Sequence, residues 1–271
     1  MLLVTLALGA CRGRQAETVV LASTTSTEDS GLFDELLPAF EKSNSKYRIV
    51  VVAVGSGEAL AIARRGDADV LLVHSPAAES TFMAEGYGDA RRGVMYNDFV
   101  IVGDSSDPAR IRGLRDAGLA LAQIARAHAP FVSRGDQSGT HTKELALWKA
   151  AGVSPVDSSA GVRWYMDAGQ GMGETLRIAN ERRAYTLSDR GTYLATRNSV
   201  ALQILVEGDP RLRNPYSVIT VRKAKQKVGA QRFADWIISD SAQRLIGSYG
   251  AARFGQPLFI PDAHGVLPSQ R

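Results

Sequence analysis

With 271 residues, 45% hydrophobic and 22% charged, the chain can hold one large or two modest domains around a substantial core. A net charge of +4 and a pI of about 9.3 make it basic, yet its Lys and Arg are spread along the chain, and local clusters such as Arg64-Arg65, Arg91-Arg92 and Arg182-Arg183 are only pairs. No basic stripe with interleaved aromatics is present, which excludes the usual footprint of a nucleic-acid binder and leaves a solvated surface as the reading of these charges.

The chain opens MLLVTLALGAC. The apolar run from Leu2 to Ala10 is too short for a bilayer span, which needs roughly 20 residues. It suits the apolar core and small-residue cleavage site of an export signal. Leu8-Gly9-Ala10-Cys11 resembles a bacterial lipobox, in which the cysteine becomes the lipidated first residue of the mature protein. Cys11 is the only cysteine, so no internal disulfide competes for it. No Lys or Arg precedes the apolar run, which departs from the signal pattern and leaves a start upstream of Met1 open. Residues 1–17 are therefore expected to be an export signal, a lipid anchor at Cys11 and a polar tether. A buried N-terminal strand is the alternative.

From there strands and helices alternate. TVVLA (Thr18–Ala22) reads as a strand and STTSTEDSG as a loop. LFDELLPAFEKSN places Leu32, Phe33, Leu36, Leu37 and Phe40 on one helical face, with Pro38 expected to bend the helix or shift its start. YRIVVVAV, VLLV and MYNDFVIVG read as strands, separated by short helices after GSGEA and HSPAAE. A helix is expected from about Pro108 to Ala127, then the strand PFVS, the loop SRGDQSGTH and a helix carrying Leu145 and Trp148. VRWYM, AYTL, VALQILVEG and YSVITVR complete the strands, with the turn GQGMG and two helices between them. The tail is an amphipathic helical stretch through Val228, Phe233, Trp236, Ile237, Leu245 and Ile246. This alternation predicts α/β layers with largely parallel sheets, whose ligands gather at the carboxyl ends of strands.

The loops expected at those ends share one chemistry: STTS, GSG, SRGDQSGTH and GQGMG. Helix N-termini leave N–H groups unpaired, glycines let them approach a ligand, and hydroxyls add donors. Four such loops meeting in one cleft would cage a small oxyanion, with Arg134 gripping two oxygens at once. Taken singly, each loop also fits an ordinary helix cap or turn. SRGDQSGTH fits that bland reading worst, since a cap needs one hydroxyl and no arginine. Signals for enzymes are weak. GQGMGET lacks the GK[ST] ending of a phosphate loop, and Gly55-Ser56-Gly57 lacks the G-x-S-x-G spacing of a hydrolase elbow. His74, His128, His141 and His264 have no metal-ligand spacing to one another. A Ser/His/Asp triad stays open, with no motif pointing to one.

Six segments, LASTTSTEDSGLFDELLPAFE, VVAVGSGEALAIARRGDADVLLVHSPAAE, RRGVMYNDFVIVG, SRGDQSGTHTKELALWK, DAGQGMGETLRIANE and AYTLSDRGTYLA, resemble in order the tungstate-binding proteins of bacterial ABC importers. The resemblance spans residues 18–222. It implies the type II periplasmic-binding-protein fold: two lobes, each a mostly parallel sheet flanked by helices, closing on a tetrahedral oxyanion. By analogy residues 18–102 plus 205–271 form the first lobe and 103–204 the second, with crossings near FVIVG and ALQILVEG. The family's TTS motif falls on Thr24, Thr25 and Ser26, its second loop on Ser56, and its arginine loop on Arg134 with Ser138, Gly139 and Thr140. Gly171 is a further contributor. Asp136 is expected to hold Arg134 rather than touch a fully deprotonated anion. The resemblance further implies a non-enzymatic, extracytoplasmic carrier with no cofactor, which hands tungstate, with molybdate as a second candidate, to a permease and its ATPase. Its rivals are a molybdate or phosphate binder of the same fold and a secreted enzyme acting on phosphorylated or sulfated substrates.

Overall fold

The computed structural model describes residues 16–155 and 164–263; Cys11, most of the expected signal and tether, and His264 lie outside the described residues. Strand β1 (Glu17–Thr24) leads into α1 (Thr25–Asp29) and α2 (Leu32–Ser43). Then come β2 (Tyr47–Val54), α3 (Ser56–Arg65), β3 (Val70–Val73) and α4 (Pro76–Ala84). The long β4 (Gly88–Gly103) is followed by α5 (Ala117–Arg126), β5 (Phe131–Ser133), α6 (Gly139–Ala150) and β6 (Tyr165–Asp167). After α7 (Met172–Glu181), β7 (Thr186–Asp189), α8 (Arg190–Thr196) and β8 (Gln203–Val206), a 3-10 turn at Pro210–Leu212 returns the chain to β9 (Arg213–Val221). Helices α9 (Lys227–Ile237), α10 (Asp240–Ser248) and α11 (Ala251–Phe254) and the short β10 (Ile260–Pro261) follow.

One sheet runs β2-β1-β3-β9-β4-β10, with β1 parallel to β2 and β3 and the remaining neighbours antiparallel. The far half of β4 pairs instead with β7 and β8, both antiparallel. Strand β4 thus changes partners between Asp98, opposite Arg213 of β9, and Phe99, opposite Asp189 of β7. Strands β5 and β6 are parallel and join this second group through a bridge from Phe131 to Tyr185. The expected mostly parallel sheets are therefore mixed. The cause lies in β4 and β9, which carry the chain between the two strand groups: β9 enters the first sheet between β3 and β4 and runs opposite to both.

The core follows the apolar faces. Leu32, Phe33, Leu36 and Phe40 of α2 are buried at helical spacing, and Phe40 meets Phe233 of α9 edge-on at 5.3 Å. Burying each such side chain contributes about 1.5–3 kcal/mol. Pro38 is exposed inside α2, which begins at Leu32 and runs on to Ser43, so only the hydrogen bond its missing N–H would have made is lost. A second cluster, around Phe131, Trp148, Trp164 and Tyr185, fills the space beneath β5 and β7.

Some expectations fail for identifiable reasons. The helix expected from Pro108 begins only at Ala117, because the Asp107 carboxylate accepts from Ile111 N and Arg112 N and ties the segment into a loop. Gly113, at φ 81°, and the Asp116 cap then set the true start. Val228 and Leu145, both expected on apolar faces, are exposed at 64% and 44%.

Beneath the loop that follows β5 lies Glu144, only 1% exposed, whose Oε1 accepts from Trp148 Nε1 at 3.0 Å and Tyr165 OH at 2.8 Å. Burial pushes its carboxyl up to about 7 from the ordinary 4.5. Between those values the folded chain holds a proton that the unfolded chain has lost, so this group's contribution falls as pH rises from 4.5 to about 7. Glu144→Gln keeps the accepting oxygen and removes the ionisation. The variant is expected to match the wild type at pH 4.5 and to exceed it at pH 8 by up to about 3 kcal/mol in urea unfolding. A difference that does not change with pH would show that Glu144 is charged in the folded state.

Candidate functional site

Each loop singled out in the sequence sits at the carboxyl end of a strand. Thr24 ends β1 and caps α1, its Oγ1 accepting from Thr27 N. Ser56 opens α3 directly after β2 and Gly55. Residues 134–138 join β5 to α6, with Ser138 as its cap, and Gly171 caps α7 after β6. Three of these helices, α3, α6 and α7, have ten residues or more and present first-turn N–H groups at these junctions.

The fold brings the loops into contact. Arg134 Nη2 donates to Thr25 Oγ1 at 3.2 Å, joining the loop after β5 to that after β1. A Cβ added at Gly55 would lie 3.5 Å from the Asp136 carbonyl oxygen, and one at Gly171 3.5 Å from Thr25 Oγ1. A Cβ at Gly139 would come within 3.0 Å of His74, so α6 approaches the end of β3 as closely as a glycine allows. Two further hydrogen bonds cross between the strand groups: Thr192 Oγ1 donates to Ser26 O at 3.2 Å, and Gly173 N donates to the Asp29 carboxylate at 3.4 Å.

Arg134 is 2% exposed, and its guanidinium is paired with Asp136. The other Asp136 oxygen accepts from Ser138 N at 3.1 Å, so this carboxylate is engaged by the loop itself. Gly135, at φ 63°, packs where a Cβ would lie 2.5 Å from that of Asp167, which holds the arginine loop down on β6. Ser138 spends its oxygen on His141 N. Ser56, Thr140 and Arg134 differ: Ser56 Oγ, Thr140 Oγ1 and Arg134 Nε are buried with no partner among the described residues. Leaving such a group unpaired costs about 1–3 kcal/mol, so three of them on neighbouring loops could take an acceptor from outside the chain.

The structure adds residues that the sequence did not point to. His74, directly after β3, lies 3.2 Å from Ser26 Oγ through Nε2 and 3.0 Å from Asn214 Oδ1 through Nδ1. Burial, reinforced by the Arg134 charge, lowers its imidazole to about 4, so it is neutral at pH 7. Asp189, the fully buried cap of α8, also lies here, its carboxyl raised by desolvation. The available signal was a polar residue closing a buried strand just before a helix, which His74 and Asp189 share with the recognised loops.

A PBP superfamily domain is matched over residues 13–241. The chain is 45% identical to the tungstate-binding protein TupA of Peptoclostridium acidaminophilum, covering 97% of this chain and 96% of that one. It is 39% identical to TupA of Campylobacter jejuni, covering 88% of each. Among solved structures it resembles the tungstate ABC transporter protein of Geobacter sulfurreducens, at 46% identity and a TM-score of 0.76, covering 86% of this chain and 99% of that one.

The chain belongs to the TupA family of the PBP superfamily.

The periplasmic-binding-protein fold of this family accounts for the mixed sheets and for β4 running through both. The partnerless hydroxyls in this TupA-family chain carry a testable sign. Ser56→Ala and Thr140→Ala each delete a desolvated hydroxyl with no bond to lose. In protein freed of bound anion, each variant is expected to be as stable as the wild type or up to about 1 kcal/mol more stable in urea unfolding. A loss above about 1 kcal/mol would mean the hydroxyl is bonded within the fold.

Proposed function

We propose that the protein is the extracytoplasmic solute-binding component of an ABC importer, capturing a tetrahedral oxyanion, tungstate first and molybdate beside it. The observation that carries this reading is the set of buried, partnerless donors Arg134 Nε, Ser56 Oγ and Thr140 Oγ1 on loops already in contact. A fully deprotonated oxyanion offers only acceptors and so matches a site made of donors. Thr24, Thr25 and Ser26 form the wall on the β1 side, with Ser138, Gly139, Thr140 and Gly171 opposite. The names of the TupA relatives support tungstate as the ligand.

In this reading residues 18–102 plus 205–271 form one lobe and 103–204 the other, and the anion stabilises their closed arrangement by touching both. Charge-assisted hydrogen bonds contribute about 1.5–3 kcal/mol each. Roughly six of them, less the cost of closure, reach nanomolar affinity at about −12 kcal/mol. The permease and ATPase partners and a lipid anchor at Cys11 belong to the same proposal. Asp136 serves the anion indirectly by orienting Arg134, in keeping with both of its oxygens being engaged.

One contact favours an enzyme. Ser26, His74 and Asn214 stand in the order of nucleophile, base and orienting group. Against it, Ser26 is fully buried, and an imidazole lowered to about 4 is a poor base at neutral pH.

Isothermal titration of protein beginning after Cys11, in phosphate-free buffer, is expected to show tight one-to-one binding of tungstate, with sulfate and phosphate far weaker. Phosphate binding alone would give Asp136 a direct role as acceptor. Failure to bind any anion, with turnover of a phosphate or sulfate ester, would establish the enzyme instead. Arg134→Ala is expected to weaken tungstate binding at least about tenfold with the fold intact, since it removes a charge-assisted bond. Wild-type affinity in that variant would remove Arg134 from the site.

A further inference from the structure

The hydroxyls of Thr24, Thr25 and Ser26 are not equivalent. A buried chain of side chains runs from this loop through both connecting strands into the second strand group. His74 Nδ1 meets Asn214 Oδ1 at 3.0 Å, Asn214 Nδ2 donates to Asn97 Oδ1 at 2.8 Å, and Asn97 Nδ2 reaches Asp189 Oδ1 at 3.4 Å. All four residues are at most 4% exposed. Asn97 and Asn214 face each other across the β4–β9 ladder, two positions before β4 meets Asp189 of β7. Asp189 Oδ1 also accepts from Thr192 N at 2.8 Å, and Thr192 Oγ1 donates back to Ser26 O at 3.2 Å. The circuit is closed on Ser26.

Its direction is set at Asp189. The carboxylate oxygen takes the Asn97 amide N–H, so Asn97 turns its oxygen to Asn214, and Asn214 turns its own oxygen to His74. Nδ1 must therefore carry the imidazole proton, and Nε2 is left as an acceptor 3.2 Å from Ser26 Oγ. The Ser26 proton goes to Nε2. Thr24 Oγ1, 3.1 Å from Ser26 Oγ and 2.8 Å from Thr27 Oγ1, is then free to give its proton to Ser26 and accept from Thr27, with the buried Tyr216 hydroxyl as a further partner of Ser26. Thr25 stands outside this relay: its oxygen accepts from Arg134 Nη2, and its proton has no acceptor among the described residues.

We propose that His74 is a positioning residue for the anion: by taking the Ser26 proton it turns the Thr24 and Ser26 hydroxyls inward and leaves Thr25 as the hydroxyl donor of the motif. This rests on the oxyanion-binding reading above. The circuit also couples the loop to β4 and β9, so the orientation of the motif depends on the pairing of the two connecting strands.

Two measurements test it. In protein labelled with 15N at histidine, His74, assigned through a His74→Gln variant, is expected to show the neutral Nδ1–H tautomer at pH 7. The Nε2–H tautomer, or a charged ring at pH 6, would overturn the proposal whether or not the protein binds tungstate. The second measurement is tungstate titration. The Gln amide reaches the position of Nε2, whereas Asn reaches only that of Nδ1. His74→Gln is expected within about twofold of wild-type affinity, while His74→Asn and Ser26→Ala each lose about fivefold, the scale of one net hydrogen bond. Combining Ser26→Ala with His74→Asn is expected to lose no more than either alone, because both delete one interaction. Additive losses, or equal losses in Gln and Asn variants, would overturn the positioning role. Wild-type protein that binds no tungstate would instead sink the underlying function while leaving the tautomer result standing.

Discussion

Strand β4 has to satisfy two sheets. Its first half is hydrogen-bonded to β9 and its second to β7 and β8, with the exchange between Asp98 and Phe99. A strand cannot leave its edge groups unpaired inside a protein, so the two strand groups meet where one set of partners ends and the next begins. That junction is polar. Arg190 donates to both oxygens of Asp98 at 2.6 Å, and Asn97, Asn214 and Asp189 fill the interior beside it. The loops at the strand ends of both groups thereby face one another with little freedom in their register.

The arginine loop shows how much support one buried cation needs. Arg134 sits 2% exposed against Asp136, and the loop is fixed from below through Ser133, whose Oγ accepts from Gly135 N at 3.2 Å. Ser133 in turn meets Glu144, the buried carboxyl kept near neutral. A charged Glu144 would be desolvated and would face the Asp167 carboxylate, and both effects act against it. Burial, pairing and protonation are three answers to one problem, that of holding charge out of water.

Much of the candidate site was legible because its residues break local rules. An arginine between a strand and a helix, and hydroxyls where a single cap suffices, exceed what capping a helix requires. Thr24, Ser56, Arg134 and Gly171 accordingly fall at strand ends, as read. The circuit through His74, Asn97, Asp189 and Asn214 was not legible, since its members lie far apart in the chain and each alone resembles a satisfied polar residue. Sheet direction failed for a related reason. Alternating strands and helices describe β1 to β3 well, but β9 enters the first sheet between β3 and β4 only after the long excursion through the second strand group, which no local period records. The late start of α5 came from Asp107, whose side chain offered the backbone an alternative to the helix.

The pairing of Arg134 with Asp136 has a further consequence for a captured dianion. On the proposed reading the Arg134–Asp136 pair brings little net charge to the anion, so attraction there would come from oriented dipoles at short range rather than from surplus charge. Such interactions, buried and local, are screened little by dissolved salt. Ions in the medium would then compete poorly for the occupant, and raising ionic strength would not flush it out. On that reading departure would be a mechanical event, controlled by whatever pulls the two walls apart.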